Sequence, residues 1–269
     1  MWGYFPNSVL ALSGPLIEAG FTPRIIDTAL QEWQSVAVTD PLLIGFSIYT
    51  DEHIAEALEI ARVMRNRFPG VKLVWGGPHA IMKPEQTAQH PLVDVVCYRE
   101  GEIPVVALAR AVADGAGDFS SVPGIIWKDT AGRLTTNKPA DYVRMDDLRL
   151  YPYELLDNTL YTLKNGKMYY EASRGCPFGC KFCNYDHTQW RYRSAARVVA
   201  DLAEIEKRFS PREIQLVDAN HFMNIPWVED IWRGKTRAGL RFTWETNCRF
   251  DMMSRMKDST LALVRDSGC

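Results

Sequence analysis

The sequence predicts an α/β protein, with a doubly wound, Rossmann-like domain in front and a second, shorter run of βα units behind it. Short apolar or β-branched runs alternate with helix-length amphipathic segments, the pattern of parallel strands joined by right-handed crossovers. That alternation runs to about residue 113, gives way to a hairpin-like stretch, and resumes at residue 168. A chain of 269 residues with 46% hydrophobic and 24% charged side chains is long enough for one large or two ordinary domains of this kind.

Residues 8–19 have helical apolar spacing, and the β-branched segment 24–27 reads as a short strand ending in an acid. The chain therefore opens on a helix, and a first strand is expected to be missing ahead of it. The continuous apolar run 41–47 reads as a central parallel strand buried on both faces. Helical periodicity over 54–68 is stopped by Pro69-Gly70, and 71–75 is a further buried strand closed by Gly76-Gly77-Pro78-His79. Residues 94–97 repeat the strand pattern, and Glu100-Gly101-Glu102 precede a helix through 113. Segments 124–128 and 133–136 flank Asp129-Thr130-Ala131-Gly132 as a hairpin.

Residues 141–158, rich in Asp, Tyr and Pro, read as a linker, which places domain boundaries at 1–140, 141–165 and 166–269. Behind it, strands at 168–172, 213–217 and 241–245 alternate with helices at 195–209, 227–237 and 257–267. Three βα units neither close a barrel nor cover a sheet well, so the second domain is expected to be cut short.

Lys and Arg number 31 against 33 Asp and Glu, a formal charge of -2, so no basic field recruits nucleic acid. The longest apolar runs, such as 42–46, fall far short of the ~20 residues that span a bilayer. Residues 1–9 lack a basic segment followed by an apolar core, which points to a reducing cytoplasm. The six cysteines then call for an explanation other than disulfides. Cys97, Cys248 and Cys269 are scattered, whereas Cys176, Cys180 and Cys183 crowd into eight residues.

Arg174-Gly175-Cys176-Pro177-Phe178-Gly179-Cys180-Lys181-Phe182-Cys183 directly follows a predicted strand. Three thiolates at spacings x3 and x2 on one glycine-containing loop suit a cubic cluster, and soft sulfur ligands select iron–sulfur or zinc over hard cations. Three ligands leave one metal position open, where a structural zinc site would close with a fourth ligand, here possible from His187. Three unrelated thiols are the plainest alternative.

The Cys-x3-Cys-x2-Cys motif after a strand, with an aromatic before the last Cys, resembles the radical S-adenosylmethionine (radical SAM) superfamily. The strand end Gly45-Phe46-Ser47, the Gly76-Gly77-Pro78-His79 turn and Glu100-Gly101-Glu102 resemble the cobalamin-binding domain that precedes the radical domain in one large branch. The resemblance implies a partial radical SAM barrel behind a cobalamin-binding domain, the chain being truncated at both ends. It assigns Cys176, Cys180 and Cys183 to a 4Fe-4S cluster whose fourth iron takes S-adenosylmethionine. Reduction, by a partner such as flavodoxin or ferredoxin, would then yield a 5′-deoxyadenosyl radical that attacks an unactivated carbon.

Other roles follow from the same resemblance, each beside a simpler one. Phe182 falls where an aromatic lies near the adenine, and it equally well shields the cluster from solvent. Arg174 and Lys181 either soften the cluster's charge or belong to a solvated face. Asp218, with Asn220 and Phe222 after the second barrel strand, is a polar group supporting the residues that touch the cofactor, an amine-facing group, or a helix N-cap. Glu245 and Arg249 point into the barrel mouth, Arg249 toward the cofactor carboxylate, or form a simple ion pair at a strand end. For cobalamin the strand ends supply Ser47, Tyr49 and Thr50, then Gly76, Gly77 and His79, then Glu100 and Gly101. The two glycines permit close approach of a bulky ligand or make an ordinary turn. The Asp-x-His-x-x-Gly signature of a lower histidine ligand is absent, since Asp51-Glu52-His53 is followed by Glu56 where glycine belongs.

The expected function is cobalamin-dependent methylation, or ring rearrangement, of a small-molecule substrate. A methylthiotransferase would carry three further cysteines in the front domain, where only Cys97 stands. A non-catalytic iron–sulfur or cobalamin module is the alternative from another class.

Overall fold

The computed structural model describes residues 5–50, 53–157, 161, 166–183 and 188–269. His187, the Asp51-Glu52 pair and most of 158–165 lie outside the described residues. Two compact units are present: Met1–Val143 with Tyr151–Leu155, and Arg144–Leu150 with Leu156–Cys269.

The first unit holds a five-stranded sheet in the order β1 (Leu43–Ser47), β2 (Lys72–Gly76), β3 (Val95–Cys97), β4 (Ile125–Lys128), β5 (Leu134–Thr136). β1, β2 and β3 are parallel, and the β4–β5 hairpin adds antiparallel strands, so the sheet is mixed. Helices α1 (Asn7–Glu18), α2 (His53–Arg67), α3 (Gly77–Met82), α4 (Pro84–Gln89) and α5 (Glu102–Ala113) connect and flank it. Alternation along β2 sends Leu73 and Trp75 into a core with Ala57, Ala61 and Met64 of α2. Val74 points the other way and joins Val95, Cys97 and Leu108 of α5. The sheet is thus covered on both faces, as the α/β pattern predicts.

Four local expectations need correction. Residues 24–27 form no strand; the Asp27 carbonyl accepts from the Leu30 and Gln31 N–H groups and closes a turn. β-branching favours a strand only where a neighbouring strand supplies the ladder. The run 41–47 does form β1, but at the sheet edge and half exposed rather than central. Gly76-Gly77-Pro78-His79 is a helix start, with Gly76 at the N-cap of α3 and Pro78 in its first turn, where a missing N–H costs nothing. The stretch read as linker carries buried Met145, Leu148, Tyr151, Tyr153 and Leu156, so much of it is packed.

The second unit has a parallel three-stranded sheet in the order β10 (Thr243–Glu245), β9 (Glu213–Leu216), β6 (Lys167–Tyr170). A separate antiparallel hairpin is made by β7 (Ser173–Cys176) and β8 (Thr188–Tyr192). Helices α6 (Ala195–Phe209), α7 (Ile225–Arg237), α8 (Phe250–Met253) and α9 (Asp258–Asp266) follow. Met168, Tyr170, Ile214, Leu216 and Trp244 are buried on one side of the sheet, with Trp232 of α7 stacked on Trp244 at 3.6 Å. The other side is polar, and Lys167 Nζ bridges Glu213 at 2.8 Å and Glu245 at 2.5 Å. Ser194 caps α6 by accepting from Arg197 N–H, and Asn224 caps α7 by accepting from Trp227 N–H.

Candidate cofactor sites

The cysteine loop lies in the second unit and begins at the end of β7. Gly175 takes φ +83° at a register shift between Arg174 and Cys176, a conformation open to glycine at no steric cost. Beyond the shift, Cys176 pairs with Thr188 at the end of the ladder. Cys183 N–H donates to Cys180 O at 2.9 Å, folding the x2 segment into a turn. Cys176 and Cys180 are half-buried and Cys183 is exposed. Among the described residues, no three His, Cys, Asp or Glu side chains gather around one ion position. A polynuclear cluster takes each thiolate on a different iron, so three soft sulfurs on one loop fit it without meeting at a point.

Arg249 joins this loop from the residue before α8. Its guanidinium lies 3.8 Å from the Phe178 ring centroid, and Nη1 donates to Cys180 Sγ at 3.1 Å. Nε and Nη2 donate to the two oxygens of Asp251 at 3.0 and 3.1 Å. The hydrogen bonds from Arg249 hold the Asp251 carboxyl below its ordinary range. Its place after the third strand and the family resemblance led to Arg249, while no role was given to Phe178 or Asp251. The signals were present: an aromatic inside the cysteine motif, and an acid two residues beyond the arginine. Glu245 is not the partner of Arg249, since it turns to Lys167 on the sheet's polar side. Arg174 donates to Glu171 Oε2 at 2.7 Å. Phe182 is 89% exposed, and Lys181 beside it is exposed too.

Asp218 is neither solvent-facing nor a helix cap. It is fully buried, and Oδ1 accepts from Ala172 N–H at 2.8 Å and Ser173 N–H at 2.9 Å. Ala172 leads from β6 into the cysteine-bearing β7, and Ser173 is that strand's first residue, so Asp218 ties down the base of the loop. Oδ2 meets Nδ1 of His221 at 2.8 Å, a residue that sequence reading passed over. Asn220, also buried, sends Nδ2 toward the sulfurs of Met252 and Met223 at 3.1 and 3.4 Å.

In the first unit the named residues sit at the C-terminal ends of the parallel strands, where doubly wound sheets hold ligands. Ser47 Oγ lies 2.9 Å from Ser8 Oγ, and Thr50 Oγ1 lies 3.0 Å from His79 Nδ1. Tyr49 is half exposed. Gly76 and Gly77 join β2 to α3, and Gly77 has φ +84°. A Cβ at Gly77 would come within 2.7 Å of Ile48 N, so its bareness is needed by the protein's own backbone. Glu100 precedes Gly101, the N-cap of α5, and a Cβ at Gly101 would meet Leu12 Cδ2 at 2.8 Å. Cys97 is buried in the apolar core, and burial pushes its thiol up to about 12.

Comparison with known proteins agrees with both halves. Residues 4–109 match the B12 binding domain, and residues 170–269 match the radical SAM superfamily. An uncharacterized methyltransferase of Pyrococcus horikoshii, PH0819, is 26% identical over 236 residues, covering 86% of this chain and 50% of that one. The hopanoid C-3 methylase of Methylococcus capsulatus is 25% identical over 266 residues, covering 94% of this chain and 50% of its own. The radical SAM methyltransferase TsrM of Kitasatospora setae, solved with cobalamin and a [4Fe-4S] cluster, aligns with a TM-score of 0.82. That alignment has 19% identity and covers 98% of this chain and 56% of TsrM. The chain spans about half the length of these relatives. No helix among the described residues is long and apolar enough to cross a membrane. The chain thus carries a region of the B12 binding domain family followed by a region of the radical SAM superfamily.

Proposed function

We propose that this chain is the cobalamin- and cluster-binding part of a radical SAM methyltransferase acting on an unactivated carbon or phosphorus centre of a small molecule. The loop of Cys176, Cys180 and Cys183, anchored at its base by Asp218, carries the reading. On it, the three thiolates hold a 4Fe-4S cluster with one iron open to S-adenosylmethionine. Bound there, these groups would supply a 5′-deoxyadenosyl radical, and a second S-adenosylmethionine would supply the methyl group by way of cobalamin. Arg249 sets a positive charge against the loop through Cys180 and Phe178. Ser47, Tyr49, Thr50, Gly76, Gly77, His79, Glu100 and Gly101 line the face proposed for cobalamin, with no lower histidine ligand. Phe182 remains proposed near the adenine, and its exposure leaves it open to contact.

A reductant such as flavodoxin or ferredoxin and a cytoplasmic setting complete the proposal, with no role for nucleic acid. That several relatives are named methyltransferases favours methylation over ring rearrangement. A methylthiotransferase fits less well, because the buried Cys97 thiol stays protonated near neutral pH. A non-catalytic module is the second reading.

Anaerobic reconstitution with iron and sulfide, then reduction and electron paramagnetic resonance, tests it. A 4Fe-4S signal that changes on adding S-adenosylmethionine is expected. Retained zinc without a cluster would remove the radical chemistry, and a cluster indifferent to the cofactor would leave a binding module.

A further inference from the structure

β6 and β7 belong to different sheets, and the chain passes from one to the other through Ala172 and Ser173. Ala172 lies outside both ladders and Ser173 opens β7 opposite Tyr192, and the buried N–H groups of both need an acceptor. Asp218 Oδ1 takes both, while Ala172 O accepts from Arg193 N–H at 2.9 Å. This carboxylate, together with the β7–β8 pairing, therefore sets the direction in which the chain leaves toward Cys176.

A fully buried carboxylate needs matching on its second oxygen as well. His221 Nδ1 meets Oδ2 at 2.8 Å, and both side chains are completely shielded from solvent. The imidazole is walled by Trp227, Phe222, Trp232 and Trp244, with ring centroids 5.0, 5.5, 5.7 and 5.9 Å away. The backbone N–H of His221 donates to Asn247 O. Held so, the ring cannot swing off Asp218. Its Nε2 is buried with no hydrogen-bond partner. A phenyl ring would fill the same aromatic wall without that unmatched nitrogen, so only the bond to Asp218 accounts for a histidine here.

We propose that His221 is a positioning residue for the cysteine loop: through Asp218 it fixes the Ala172–Ser173 backbone, and with it the starting point of the three cysteines. The proposal rests on the iron–sulfur reading above. It predicts that the loop's hold on iron depends on a donor at the Nδ1 position, not on the bulk of the ring.

His221→Asn keeps an N–H near Nδ1, His221→Gln moves it to about the place of Nε2, and His221→Phe removes it. The reconstituted full chain and its variants are challenged anaerobically with an iron chelator, and release is followed by absorbance. Iron loss about tenfold faster for Phe and Gln, with Asn within about twofold of the parent, is expected, the size usual for groups supporting a metal ligand. Melting temperatures of the iron-free proteins are read alongside, and a merely structural role would rank them in the same order. Should the Phe variant not fold, the Asn and Gln pair carries the comparison alone. Equal release from all variants, or release that follows melting temperature, overturns the proposal. No iron uptake by the parent overturns the iron–sulfur reading and the proposal with it.

Discussion

Arg249 Nη1 donates to Cys180 Sγ at 3.1 Å across 69 residues of sequence, while its other nitrogens grip Asp251. The cysteine loop is thus held at its base by a buried carboxylate and at its middle by a guanidinium that also covers Phe178. A hydrogen bond to a ligand sulfur lowers the negative charge that reduction must add to, so this contact bears on potential as well as on position.

Removing that donor is expected to make the cluster harder to reduce. In Arg249→Ala the midpoint potential, followed by electron paramagnetic resonance during a redox titration, should move to more negative values. Arg249→Lys should fall between, since it keeps the charge but not the planar fork that reaches sulfur and carboxylate together. An unchanged potential in both variants would separate Arg249 from the cluster's electronics.

Cys180→Ala should lose most of its reconstituted iron, because two remaining thiolates cannot hold a cubic cluster firmly. Cys248→Ala is the control, its sulfur engaged with the Arg249 carbonyl at 3.3 Å. Iron and sulfide assays on both variants decide the ligand assignment.

Gly77→Ala should destabilise the first unit by roughly 2 kcal/mol or more, combining left-handed strain with a backbone collision. The added carbon would lie 2.7 Å from Ile48 N, which has no flexible end to yield. Thermal unfolding of the variant measures it. A loss of cobalamin affinity with no loss of stability would instead point to direct ligand contact at this turn.

Cys97 supplies a pH dependence with a definite sign. Its thiol titrates at about 12 when folded against 9.0 for the free group. Between these values the unfolded chain releases the proton and the folded chain keeps it, so stability falls as pH rises. The slope is about 1.4 kcal/mol per pH unit for a single site of this kind, an upper figure. Below pH 9 the contribution is fully present. Denaturant unfolding at intervals from pH 8 to 11 should be flatter for Cys97→Ala than for the parent, and native Cys97 should resist alkylation at pH 8.

Residue types and spacing determined the chemistry of this protein and most of its elements. Three cysteines at x3 and x2 after a strand are a local pattern, and local patterns survive whatever the rest of the chain does. The helices at 7–18, 102–113 and 195–209 were likewise legible, because apolar periodicity and capping residues are near neighbours in sequence. The tertiary structure decided everything that needs two distant segments to meet. Strand 24–27 failed for want of a ladder, β1 moved to an edge, and Glu245 turned from Arg249 to Lys167. Asp218 is a buried clamp on Ala172 and Ser173, with His221 behind it, rather than a helix N-cap. Hydrogen bonds act over about 3 Å while sequence separation is blind to distance in space, so such partnerships exist only once the sheets have packed.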